Sequence, residues 1–420
     1  MLTNVKPKYR IFYGWVVVLA FSIIGTSLFG VRLTFGVFFK SIEGEFNLTR
    51  AATSSVFSAY MVFGVIFVIL IGWAVDKYGP RIVILLMGIL TGISLLSISQ
   101  SNSLWQLFIT YSLLLAMGTS AIYLVIISTV SRWFNRKRGL ALGIASLGSG
   151  LGPLIIAPFA TYLISNFNWR IAYIVIGLIA WLIVIPLSRL LKKEPSEIGT
   201  VPDGVESGLT NKQPHQLKNK EDTVYPTDFS LLQALRTRSF WLLISTYFLF
   251  SSSHFLVITH IVPHAIDFGF SAGEAATIIS LIGGSSIAGR LIMGGVSDRI
   301  GKKLTFIICA LVESVAVVWL LWSYELRIFY LLAVIYGFGF GGWGPIMGSL
   351  VGDTFGLRNM GAILGVTEVG FNIGAAVGTA MGGLIFDISQ SYFMAFLLTA
   401  LSLFVGTLLL VSVRRETFQT

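Results

Sequence analysis

The chain has 420 residues, 55% hydrophobic and 11% charged, with a formal net charge of +10. A soluble domain carries about 25% charged residues, so this composition excludes a wetted globular protein and points to a polytopic membrane protein. The basic residues sit in short segments between apolar runs, which argues for membrane topology over nucleic-acid binding, and a single cysteine, Cys309, excludes an internal disulfide framework and a cysteine-cluster metal site.

A helix needs about 20 apolar residues to cross the hydrocarbon. The first run, 13–39, is too long for a signal-peptide core and no A-x-A cleavage pattern follows it, so it reads as a retained span. Runs at 53–75, 82–100, 105–130, 140–164 and 170–190 complete a first set of six. The stretch 191–238 is rich in Lys, Glu, Pro and Asn and reads as a linker. Runs at 240–265, 274–297, 303–322, 327–352, 360–386 and 391–413 form a second set. The expected fold is an all-α membrane protein of twelve transmembrane helices. Residues 1–190 form one six-helix bundle, 191–238 a cytoplasmic linker and 239–420 a second bundle.

Of the 29 Lys and Arg residues, Lys40, Arg50, Arg170 and Arg327 fall on one side of this arrangement, Arg32 and Arg290 fall inside spans, and the rest fall on the other side. That bias predicts both termini and the linker in the cytoplasm of a multi-pass cell-membrane protein. The halves also repeat. "GWAVDKYGPR" after the second run and "GGVSDRIGKK" after the eighth share G-x-x-x-D-x-x-G-x-[RK], which sets Asp76 and Arg81 against Asp298, Lys302 and Lys303. A weaker echo links "RWFNRKRGLALG" after the fourth run to "DTFGLRNMGAILG" after the tenth. Duplicated halves with a site between them are a transporter architecture.

The repeated loop resembles the major facilitator superfamily. Within it, "FYGWVVV" at 12–18, "FGVFFKSIEGEF" at 35–46, "SRWFNRKRGLALG" at 131–143 and the arginine in the eighth span resemble the monocarboxylate-porter and oxalate/formate-antiporter branch. The resemblance implies two pseudo-symmetric six-helix bundles. Spans 1, 4, 7 and 10 would line a central cavity, with 2, 5, 8 and 11 beside them and 3, 6, 9 and 12 facing mainly lipid. It makes Arg290 the residue that binds the substrate anion. It also makes the loops of Asp76, Arg81, Asp298 and Lys302 gating elements that bridge neighbouring helices. Three positions differ from the branch. Ser286 stands where proton-coupled animal members have Asp. Leu33, next to Arg32, stands where they have a first-span Lys. "GVTEVG" places Glu368, and no Lys, in the eleventh span.

Arg290 lies eight residues before Asp298, roughly 12 Å inside the boundary. A central arginine costs about 2.5–3.5 kcal/mol on insertion scales, and its planar fork of donors suits a carboxylate. The competing reading is a structural ion pair within the bundle. Arg32 lies at similar depth from the opposite side and reads as a second anion clamp, a gate residue or a structural partner of an acid. Glu368 reads as a proton carrier or as a permanent bridge to one of the arginines. Glu313, on a peripheral span, reads as a helix-packing residue. His260 is a candidate for a hydrogen bond to substrate or for proton transfer. His264 shares its face near the outer end, whereas His254 is rotated from it by about 120°. Tyr123, Tyr336, Phe340, Trp343, Leu28 and Phe35 either wall a cavity or pack helices.

The function expected is secondary transport of small organic anions, foremost proton-coupled monocarboxylate symport of lactate or pyruvate type by a monomer. Organic-anion exchange and a non-transporting anion sensor are the alternatives. The sequence has no P-loop, nucleophile elbow or metalloprotease motif. No enzyme activity, cofactor, metal site or nucleic-acid partner is therefore expected. The expected partners are a small carboxylate, a proton and the bilayer.

Overall fold

The computed structural model describes residues 12–134, 136–203, 229–356 and 360–413. The linker segment 204–228, which includes His215, and Arg358 lie outside the described residues. Twelve helices are long and apolar enough to cross a membrane. In the first half they are span 1 (Tyr13–Glu45), span 2 (Arg50–Tyr78), span 3 (Pro80–Ser99), span 4 (Leu104–Trp133), span 5 (Gly139–Asn166) and span 6 (Trp169–Ser188). In the second half they are span 7 (Arg238–Asp267), span 8 (Ala272–Ile300), span 9 (Lys302–Leu320), span 10 (Leu326–Phe355), span 11 (Ile363–Ser389) and span 12 (Phe393–Ser412).

The packing repeats as the sequence does. Span 1 packs on 5, span 2 on 4 and span 3 on 6; correspondingly span 7 packs on 11, span 8 on 10 and span 9 on 12. The halves meet chiefly along two seams, span 2 against 11 and span 5 against 8. Large exposed apolar side chains, such as Leu86, Leu182, Val315 and Leu401, stud spans 3, 6, 9 and 12. In hydrocarbon such a surface carries no penalty, because the lipid is as apolar as the side chains.

Local chemistry sets the ends. Thr49, Asn168 and Ser271 cap their helices through side-chain oxygens, and Ser271 forms a reciprocal capping box with Glu274. The second glycine of the repeated loop motif has a structural reason. Gly79 and Gly301 stop spans 2 and 8 at φ +80° and +91°, where an L side chain is strained. Asp76 and Asp298 therefore fall in the last turn of their helices.

Three spans near the centre are broken, span 4 at Ser120–Ala121 between helices Ala116–Thr119 and Ile122–Trp133. Span 1 interrupts at Thr34, whose hydroxyl donates to the Gly30 carbonyl at 2.7 Å. Span 5 interrupts at Ser146–Leu147, between helices Arg138–Ala145 and Gly148–Asn166. Broken helices present backbone carbonyls to the interior of a bundle, an arrangement tolerated in the membrane where protein or water satisfies them.

The span 5–span 8 seam is close enough to demand glycine. A Cβ on Gly283 would sit 2.7 Å from the Gly150 carbonyl oxygen and 3.1 Å from Pro153. Gly283→Leu should therefore destabilise the folded protein by about 1–3 kcal/mol through overpacking. The check is a lower thermal midpoint in detergent; an unchanged midpoint would mean the seam is looser than described.

Candidate substrate site

Seven spans bring polar side chains to the centre. Arg290 of span 8 reaches across the seam. Its Nη1 donates to the Ser146 carbonyl at 3.0 Å and to the Ser149 hydroxyl, both at the break in span 5. Its Nε is buried without a partner. Arg32 of span 1 is 9% exposed. Its Nη2 points at the Met61 sulfur at 3.4 Å, and its guanidinium lies 5.8 Å from the ring centres of Tyr60 and Phe255. Its Nε also has no partner. Neither arginine has a carboxylate within ion-pair distance among the described residues.

Glu368 of span 11 accepts a hydrogen bond from the Tyr247 hydroxyl at 3.1 Å, and Asn372 donates to its backbone carbonyl at 2.9 Å. It lies within electrostatic reach of Arg32 without forming an ion pair with it. Tyr123 of span 4 lies within reach of both Arg290 and Glu368, and its ring is 38% exposed.

The histidine nearest these charges is His254, the one the spacing set apart from His260. It lies within electrostatic reach of Arg290 and Arg32. Its Nδ1 is 3.1 Å from the Tyr336 hydroxyl, its ring stacks on Phe340 at 3.6 Å, and its Nε2 is buried and unpartnered. Tyr336 and Phe340 thus enter the cluster through His254. His260 sits elsewhere: its ring nitrogens meet the Tyr392 hydroxyl at 3.1 Å and the Thr379 carbonyl at 2.9 Å, and its ring abuts Phe39 of the other half. His264 packs among Phe268, Phe329, Tyr392 and Phe396.

Leu28 and Phe35 are fully enclosed. Phe35 stacks with Phe57 and Tyr111, and Phe57 contacts Phe255 across the halves. The Phe35 cluster plugs the centre on the side away from the linker, whereas Leu28 lies one turn before Arg32, toward the linker face. Glu313 accepts a hydrogen bond from the Trp343 indole at 2.9 Å and ties span 9 to span 10. Trp343 is buried within the second half. A surface groove lined by Ile93, Ser97, Gln100 and Thr110 lies at the ends of spans 3 and 4 and contains none of these residues.

The face away from the linker is sealed by a charge network. Arg50 meets both oxygens of Asp267: Nη2 donates to one at 2.8 Å, Nη1 lies 2.6 Å from the other as an ion pair without hydrogen-bond geometry, and Nε donates to Glu43 at 3.2 Å. Its guanidinium stacks over Phe386 at 3.5 Å. The backbone N–H groups of Arg50 and Ala51 donate to Asp387 at 3.0 and 2.9 Å, and Lys40 adds a 2.9 Å pair to Asp267. Span 2 and span 1 of the first half are thereby tied to spans 7 and 11 of the second.

On the linker face the ion pairs of the described residues stay within one half. Asp76 pairs with Arg132 at 2.6 Å and Lys302 with Asp353 at 2.8 Å, each bridging neighbouring helices. Lys193 also donates to the Asp76 backbone carbonyl at 2.6 Å. Arg81 and Asp298 form no ion pair with another described residue. Charged ties between the halves thus lie on the face away from the linker, and among the described residues no ion pair joins the halves on the linker face.

Ser146, Ser149, Tyr247, Asn372 and the Arg50 network are not marked by any sequence signal used above. Their roles depend on which neighbours folding supplies. For His254 the signal was present: a six-residue spacing rotates it away from His260.

Two repeated six-span bundles that meet at a charged centre define a polytopic membrane transporter. The chain belongs to the Major Facilitator Superfamily, whose profile matches residues 16–303 and 263–419. Monocarboxylate transporter 13 of Rattus norvegicus is 25% identical over 95% of this chain and 89% of that protein. Monocarboxylate transporter 12-B of Danio rerio is 26% identical over 96% of this chain and 87% of that protein. The crystal structure of a D-xylose–proton symporter shares the fold, with a TM-score of 0.74 at 15% identity over 97% of this chain and 100% of that one.

Proposed function

We propose that the protein is a secondary carrier of small organic anions, foremost a proton-coupled monocarboxylate symporter working by alternating access. The observation that carries this reading is a pair of central arginines, one from each half, each with a buried Nε that has no hydrogen-bond partner and neither in an ion pair with a carboxylate among the described residues. An uncompensated charge at the membrane centre is expensive, and a substrate carboxylate is its natural counter-ion. Relatives named monocarboxylate transporters support the class of cargo.

The site divides into roles. Arg290 and Arg32 attract the carboxylate from opposite halves. Tyr123, Tyr336 and His254 offer polar contacts, and Phe340 an apolar wall for a short carbon chain. The Lys/Arg bias places the linker in the cytoplasm, so the closed face is the outer one and the carrier opens inward. Phe35 and His260 then belong to the outer seal and meet substrate only when that seal parts, while Leu28, one turn inward of Arg32, is an apolar wall residue. The loops of Asp76 and Lys302, with Arg81 and Asp298, are the gating elements on the cytoplasmic side. The carrier works as a monomer in the cell membrane.

Proton coupling falls to Glu368, the acid nearest Arg32 and free of an ion pair. Glu368→Gln should leave exchange of labelled anion across liposomes intact and abolish accumulation driven by a pH gradient. Gradient-driven uptake by that variant would remove Glu368 from the coupling step. The second reading, organic-anion exchange, is favoured by the presence of two arginines, enough for a dicarboxylate. Liposomes loaded with or without lactate, pyruvate, formate, acetate or oxalate separate the two. Symport follows the proton gradient with empty vesicles, and exchange requires an internal anion. A protein that moves none of these anions overturns both readings.

A further inference from the structure

We propose that Ser149, together with the Ser146 carbonyl, is a latch that competes with the substrate carboxylate for Arg290. The inference rests on Arg290 binding the substrate. The Ser149 hydroxyl donates to the Ser146 carbonyl at 2.8 Å, which leaves its lone pairs for Arg290 Nη1. Nη1 therefore meets two oxygens that act as one unit. The unit exists because span 5 breaks there. In an unbroken helix the Ser146 carbonyl would be turned along the axis to the N–H four residues on; here its backbone partner is the nearer Ser149 N–H at 3.2 Å.

Both latch oxygens are neutral, so they satisfy the donor without discharging the cation. They also lie in the opposite half, so the hydrogen bonds tie span 8 to span 5 while no substrate is present. The Nε of Arg290 is left buried without an acceptor, so the latch meets only part of the guanidinium's donor capacity. A carboxylate can take two parallel N–H bonds and supplies a full negative charge, which makes it the stronger acceptor. To form that fork it must draw the guanidinium away from the span 5 break. Substrate binding thus exchanges an inter-half tie for an anion contact. The latch lowers apparent affinity and restrains the empty carrier.

The test is calorimetric titration of the full-length protein in detergent with L-lactate, pyruvate, formate, acetate and oxalate. Ser149→Ala should tighten binding of whichever anion the parent binds by roughly three- to tenfold, the factor expected from removing one competing hydrogen bond. Ser149→Thr keeps the hydroxyl and should restore the parent affinity. A side chain with a merely structural role would weaken binding on removal or leave it unchanged. With anion binding present in the parent and lost in Arg290→Gln, an unchanged or weaker Ser149→Ala overturns the latch alone. A parent that binds none of the anions, or an Arg290→Gln variant that binds them normally, overturns the substrate reading and the latch with it.

Discussion

Asp267→Ala should shift the protein away from the state closed on the face opposite the linker. Arg50 is almost fully buried, and it holds Asp267 through one hydrogen bond and one ion pair while the Phe386 ring covers its guanidinium. Such geometry is stronger than a single contact. The Asp267 side chain remains 30% exposed, so the pair lies between two limits: about 0–1 kcal/mol for an exposed bridge and about 3–5 kcal/mol for breaking a fully buried one. About 2 kcal/mol changes an equilibrium roughly thirtyfold. Most of that change falls on the conformational equilibrium, because the pair joins the halves and is lost when this face opens. Spin labels at Ser103 and Glu325, in a background with Cys309→Ser, lie in loops of opposite halves on this face. Their distance distribution should gain a longer population in Asp267→Ala. Arg50→Lys keeps the charge but loses the two-point contact and should fall between the two. A distribution identical to the parent's in Asp267→Ala would show that the pair does not hold the face closed.

The division between what the sequence made legible and what it hid follows from the range of the interactions. Spans are local: about 20 apolar residues suffice to announce each helix, and the repeated glycine after Asp76 and Asp298 marks where two of them stop. The depth of Arg32, Arg290 and Glu368 follows from helical rise alone. What each of them touches does not. Arg290 meets an opening in span 5 that is encoded by a local break at Ser146, 144 residues away, and no periodicity predicts a broken turn. Lys40 and Arg50 counted only as topological charges in the sequence, yet they form the principal charged tie between the halves. Their partners, Asp267 and Asp387, come from the other bundle. The histidines show the limit most clearly. His260 was placed on the same helix as His254, and helical spacing separated their faces correctly, but only packing shows which face meets the arginines. His260 instead finds the Thr379 carbonyl and Tyr392, a pairing set by the approach of spans 11 and 12.

Arg290→Gln should abolish transport while leaving a folded, membrane-inserted protein. Two charge-assisted hydrogen bonds to a carboxylate are worth about 1.5–3 kcal/mol each, so their loss should lower kcat/KM for uptake by at least about a hundredfold. Arg290→Lys keeps the positive charge and loses the planar fork, and a loss of about tenfold is expected. Stability should move little: Arg290→Gln loses the neutral hydrogen bonds to Ser146 and Ser149, and relief of the charge at the membrane centre offsets that loss. The guanidinium has no acid partner to strand among the described residues. That contrast separates a substrate role from a structural one. A residue whose task is to hold spans 5 and 8 together would, on removal, lower the thermal midpoint and broaden the size-exclusion profile along with activity. Arg32→Gln provides the counterpart from the first half. It lies against Met61 and Tyr60 of its own half and 5.8 Å from the Phe255 ring of the other, rather than against backbone carbonyls, so its loss removes no hydrogen bond between the halves and should fall on KM for the anion. Wild-type uptake by Arg290→Gln would remove the central arginine from the substrate site. A collapse in stability together with uptake would make it a structural brace.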